Sequence, residues 1–203
     1  CIFLSDGQEI SNGCELPALT LTKGAAFTCE VTPRDDADSG VTVEVAGSIH
    51  NQAPSPPVVE VSPGAGDVTT TFQCLVTADA VDPDGDDVTH TATLMVNGTP
   101  GGTIKKGSEL TCEASGSDGE ASSSVASSAP VVVGNAAPVG GTVTIEPALP
   151  IATDTLTCAA SDATDPDGDK VTWTYAWDVA GETIPGPTLA PGEFQAGDTV
   201  TCF

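Results

Sequence analysis

Basic residues are nearly missing from this sequence. Among 203 residues there are five, Lys23, Arg34, Lys105, Lys106 and Lys170, against 29 acidic ones, for a net charge of −24. Such a surface repels phosphate backbones, which excludes nucleic-acid partners, and it repels anionic lipid for the same reason. Aromatic residues are scarce as well, at 4% of a chain that is 39% hydrophobic. Any core is therefore thin, built from Val, Leu, Ile and Ala, and in need of extra staples. With two histidines and no Cys-x-x-Cys pair, zinc sites at ordinary ligand spacing are excluded. No apolar run is long enough to span a bilayer, and direct membrane insertion is not expected. No segment has a helical period, and no glycine-rich phosphate loop follows a strand and opens a helix. His50 and His90 stand apart from any Ser or Cys in a nucleophile motif, and read as structural histidines. Catalytic residues and an enzymatic role are not expected.

What is present in quantity is cysteine, glycine and proline: 7, 22 and 16 residues. Seven cysteines without metal spacing read as disulfides, and disulfides imply an oxidising compartment, outside the cell or on its surface. The short spacing of Gly and Pro implies many short strands.

The strongest signal is an internal repeat. Asn51-Gln52-Ala53-Pro54 recurs as Asn135-Ala136-Ala137-Pro138, and Thr71-Phe72-Gln73-Cys74 as Thr155-Leu156-Thr157-Cys158, both at an offset of 84 (135 − 51 and 158 − 74). Asp82-Pro83-Asp84-Gly85-Asp86 returns as Asp165-Pro166-Asp167-Gly168-Asp169 at an offset of 83 (165 − 82). A second cysteine, in Glu109-Leu110-Thr111-Cys112, matches Cys29 and Cys202. The expected division is the back half of one repeat over 1–53, a complete repeat over 54–137, and a repeat lacking its last strand over 138–203. The chain reads as an internal window of a longer protein.

After each acidic loop the sequence alternates. Val88, His90, Ala92, Leu94 and Val96 share one face in the second repeat, and Val171, Trp173, Tyr175, Trp177 and Val179 in the third. Period two with β-branched and aromatic residues predicts a half-buried strand. Each such strand runs into a hairpin turn signal, Asp6-Gly7, Asn97-Gly98 or Ala180-Gly181. Asn97-Gly98-Thr99 is also a glycosylation sequon, with the hairpin turn as its default role.

A cysteine strand, an acidic loop, a strand with Trp or a large apolar residue, and a second cysteine strand form the immunoglobulin-type order. The Asn-x-Ala-Pro opening, the Asp-Pro-Asp-Gly-Asp loop, the aromatic strand and the Thr-Cys-Glu and Val-Thr-Pro signals resemble bacterial immunoglobulin-like, PKD-like and cadherin-like repeats of large secreted or surface proteins. The resemblance implies an all-β chain of tandem immunoglobulin-like β-sandwich domains with B–F type disulfides. It implies Cys74–Cys112 and Cys158–Cys202 bridges, with Leu94 and Trp177 against them and Phe3 in the same place in the first repeat. Cys29 then has its partner upstream of residue 1, and Cys1 is left to pair with Cys14. A Cys1–Cys29 bridge competes, and an intermolecular bridge is a further alternative.

Asp82, Asp84 and Asp86, and again Asp165, Asp167 and Asp169, are spaced i, i+2, i+4 around a glycine. Close carboxylates repel unless a cation or solvent screens them, and oxygen-rich clusters suit calcium; Asp79 and Asp162 are candidates to complete such sites. The competing reading is a solvated turn. In function the chain is expected to be a structural segment of an extracellular filament, sheath or surface appendage, with copies of itself or neighbouring repeats as partners. The alternative is the stalk of a large adhesin whose binding domain lies elsewhere in the protein.

Overall fold

The computed structural model describes residues 1–203. It is all-β, with no helix and 43% strand. Seventeen strands form several small antiparallel sheets, and the chain falls into two compact units. The first comprises residues 1–64, 72–102 and 110–131, and the second 65–71, 103–109 and 132–203.

In the first unit, β1 (Ile2–Ser5), β2 (Gln8–Asn12), β3 (Ala26–Val31) and β4 (Val43–Ser48) make a four-stranded sheet in the order β2-β1-β3-β4. A second sheet pairs β5 (Val58–Ser62) with β6 (Gln73–Ala78). A third, lying almost wholly in this unit, is built on β7 (Thr89–Val96), β8 (Thr99–Pro100), β9 (Glu109–Ser117) and β10 (Ala126–Ser127), in the order β10-β9-β7-β8, with β11 (Val131–Val132) also on β9. β9 shows why these residues choose strand: Leu110, Cys112, Ala114 and Gly116 are buried in strict alternation with less buried neighbours, so one face is apolar and close-packed. Gly116 is required there, because a Cβ at that position would sit 2.8 Å from both Ala80 Cβ and Val88 Cγ1.

In the second unit, β12 (Val139–Glu146), β13 (Leu156–Thr164) and β16 (Thr188–Leu189) form one sheet, and β14 (Ala176–Val179), β15 (Glu182–Pro185) and β17 (Val200–Cys202) another. Their shared core is Leu156, Cys158, Trp177, Val179, Leu189 and Phe194, with Trp177 at 0% exposure.

Three hairpins turn at the dipeptides expected from sequence. Asp6-Gly7, Asn97-Gly98 and Ala180-Gly181 all have positive φ at both positions, the geometry of a two-residue hairpin loop. Three disulfides staple the chain. Cys1 joins Cys14, closing the β1–β2 hairpin onto the segment after it. Cys74 on β6 joins Cys112 on β9, and Cys158 on β13 joins Cys202 on β17, so both of these tie strands of different sheets. The strand register places Leu94 directly opposite Cys112, Trp177 opposite Cys202 and Phe3 opposite Cys29. Cys29 is a free, half-buried thiol. Three disulfides are the mark of a non-cytoplasmic compartment, and no helix is long and apolar enough to cross a membrane.

The alternation expected over Val171–Val179 is realised only in part. Regular strand begins at Ala176, and Trp173 is 39% exposed rather than a core residue. The reason lies across the unit at Gly141, where a Cβ would fall 2.9 Å from Trp173 Cη2. The ring lies over the bare backbone of β12 instead of entering the core.

Candidate functional site

The two acidic loops are built alike, and their construction starts from their own residues. Asp82 Oδ1 accepts the backbone N–H of Asp84 at 2.8 Å and of Asp86 at 3.3 Å. Asp165 Oδ1 accepts those of Asp167 at 2.8 Å and Asp169 at 3.3 Å. Aspartate closing a turn on its own backbone is the reason the residue is favoured here. Pro83 and Pro166 sit where no donor is needed. Gly85 and Gly168 have φ of 86° and 81°, a conformation that side chains resist. The first loop runs between β6 and β7, and the second between β13 and β14, in each case from one sheet to another.

The middle aspartate of each loop takes a backbone donor from the Asn-x-Ala-Pro segment. Asp84 Oδ2 accepts the N–H of Gln52, and Asp167 Oδ2 that of Ala136, both at 2.7 Å. The last aspartate of each loop meets a lysine. Lys23 Nζ lies 2.5 Å from Asp86 Oδ2, 2.9 Å from Glu120 Oε1 and 2.9 Å from Asn51 Oδ1. Lys106 Nζ pairs with Asp169 Oδ2 and donates to Asn135 Oδ1 at 2.8 Å. Asn51 also donates through Nδ2 to Asp118 Oδ2 at 2.9 Å.

The electrostatics follow from these contacts. Hydrogen bonds to Asp86 and Glu120 raise the Lys23 ammonium above its ordinary pKa, and the bond to Asp169 does the same for Lys106. Asp118 is lowered to about 2, chiefly by the N–H of Ala121 and then by Asn51. One carboxylate oxygen in each loop is buried without a hydrogen-bond partner: Asp82 Oδ2 and Asp167 Oδ1.

As a metal centre the two loops differ. Asp165, Asp167 and Asp169 bring one carboxylate oxygen each within 4.8 Å of one another, whereas Asp82, Asp84 and Asp86 form no such group. Asp162 is occupied elsewhere, accepting from Ser161 Oγ and Thr142 Oγ1, and Asp79 lies outside the cluster. Calcium takes about six to eight oxygens. Three carboxylates, two half-buried and one exposed, the last already paired with Lys106, are fewer than that set. A lysine ammonium supplies counter-charge at the last aspartate of each loop.

Of the two histidines, His90 accepts the Ala80 N–H at Nε2, at 3.0 Å. The residues that sequence reasoning overlooked are Lys23, Lys106, Asn51, Asn135, Asp118 and Glu120. A usable signal was present: each lysine stands six residues before a second cysteine, Cys29 or Cys112, and the two are 83 apart (106 − 23), the same offset as the acidic loops. The chain matches no protein-family model and no curated protein.

Proposed function

We propose that this chain is a structural segment of an extracellular filament, sheath or surface appendage, built from tandem immunoglobulin-like sandwich repeats. Residues 54–137 are the complete repeat in this reading, with 1–53 and 138–203 belonging to its neighbours. The observation that carries it is the recurrence, at an offset of 83 or 84, of one whole set of contacts. The inter-sheet cysteine, the large side chain opposite its partner, the glycine-bent acidic loop, the linker N–H and the lysine all return together. A chain whose repeated features are staples and joints around small cores is suited to bearing load rather than to chemistry.

Short Asn-x-Ala-Pro linkers, stiffened by proline, would string such modules into a rod. Each would contribute on the order of 35–45 Å if its strands are of ordinary length. Electron microscopy of the native surface material, with and without a calcium chelator, tests the reading. Ordered fibres of periodic subunits support a polymer. Isolated beaded rods ending in a distinct head would replace it with the adhesin stalk. Fraying on chelation would assign a cation to the acidic loops.

A further inference from the structure

The two lysine contacts have the same architecture, and it spans three parts of the chain. Each lysine is fixed on a bend by backbone bonds to the last strand-like segment before the linker. Gly24 N–H donates to Ile49 O at 2.9 Å, and Ile49 N–H to Ala25 O at 2.9 Å. In the same way Gly107 N–H donates to Val133 O at 2.8 Å, and Val133 N–H to Ser108 O at 2.9 Å. The glycine after each lysine has φ near 80° (81° and 80°), so the bend is the same in both. The carboxylate that receives the lysine lies beyond the linker, in Asp86 or Asp169. The linker asparagine, Asn51 or Asn135, accepts from the same ammonium. Each contact lies wholly inside one compact unit.

We propose that Lys23 and Lys106 are built-in cationic clamps, each locking one repeat to the next by seating its ammonium in the following repeat's acidic loop. The inference rests on the repeat reading above. The protein's own lysine stiffens each joint, doing there what a bridging metal ion would do. A tethered cation needs no free ion in solution, so the joint keeps its stiffness where divalent cations are scarce. Two of only five basic residues in the chain are spent this way, each close to carboxylates that would otherwise repel one another. The two clamps are not equal in strength. Lys23 has two carboxylate partners and a side chain 24% exposed, whereas Lys106 has one and is 44% exposed, so salt screens Lys106 more strongly. The position six residues before Cys202 holds Ala196, and a repeat with alanine there carries no clamp of this kind.

Amide hydrogen exchange by NMR on the full 203-residue chain tests the proposal, read at the two N–H groups that the loops capture, Gln52 and Ala136. Lys106→Gln should speed exchange at Ala136 about threefold to tenfold and leave Gln52 unchanged, Lys23→Gln should do the reverse, and Lys106→Arg should restore most of the protection. Wild-type rates should be the same with a chelator as with millimolar calcium. An unchanged Ala136 rate in Lys106→Gln overturns the clamp. So does a chelator-treated wild type that exchanges as fast as that variant, since a metal would then be holding the joint. Failure of the repeat reading looks different: the disturbance from Lys106→Gln would spread through β13 and β14 instead of stopping at the linker and loop.

Discussion

Removing the Cys158–Cys202 bridge should cost this chain a large part of the stability of its second unit. The bridge closes a loop of 44 residues, for which loop-closure entropy in the unfolded chain amounts to about 4 kcal/mol. The Cα atoms stand 6.2 Å apart, inside the normal range, so the bond fits its site. Replacing both cysteines by alanine also removes packed sulfur from a site where Cys158 is 2% exposed, adding about 1 kcal/mol. The sum, about 5 kcal/mol, is comparable with the whole stability of many small domains. At about 4–8 °C per kcal/mol for a module of this size, the unfolding midpoint should fall by about 20 °C or more. Both tryptophans, Trp173 and Trp177, lie in the second unit, so tryptophan-selective fluorescence during heating reads that unit alone. Intact mass should show two disulfides remaining of the three. A loss below about 1.5 kcal/mol would refute the argument that a core this small depends on its staples.

Trp177 is fully buried, yet its indole N–H has no partner. Trp177→Phe should therefore be milder than a usual aromatic core change, below about 1.5 kcal/mol by urea denaturation, because relief of an unsatisfied donor offsets the lost volume. Gly116→Ala should destabilise the first unit by about 1–3 kcal/mol through overpacking against Ala80 and Val88, measured by far-ultraviolet circular dichroism. The Cys29 thiol should be the single one to react with a thiol reagent in the unreduced 203-residue chain, and more than one reactive thiol would contradict the three pairings. Asp118 is depressed, so its contribution is complete above its ordinary value of 3.8 and is lost as pH falls toward about 2. Lys23 is raised, so its contribution is complete below 10.5 and is lost only above it. The Asn51 side-chain amide signal, which reports Asp118 and Lys23, should hold its shift from about pH 5 to about pH 10 and move as pH falls toward about 2. A titration midpoint at 3.8 would contradict the assigned hydrogen bonds.

Much of the fold was legible because its punctuation is local. Asn97-Gly98 and its two counterparts demand positive φ, and a tight hairpin is the cheapest way to satisfy that demand. The two inter-sheet bridges were legible through the resemblance to immunoglobulin-type repeats, whereas the partner of Cys1 stayed open between Cys14 and Cys29 until the fold brought Cys14 to it. Trp173 was misjudged because alternation marks faces only while a strand stays regular, and a bare glycine opposite can draw a ring out of line. The lysine contacts were the main omission. The acidic loops announce a need for positive charge, but chemistry alone does not say whether a metal, solvent or a distant ammonium meets it. Lys23 and Asp86 are 63 residues apart, and only the folded linker brings them together.

The most direct test of the modular, load-bearing account is single-molecule stretching of the chain, with and without reductant. The account predicts at least two separate unfolding events. Reduction should lengthen the event from the 54–137 module by about 130 Å and that from the 138–203 module by about 150 Å, as the 38 and 44 residues held behind the inter-sheet disulfides are released at ~3.5 Å each. A single unfolding event, or increments that reduction leaves unchanged, would contradict it.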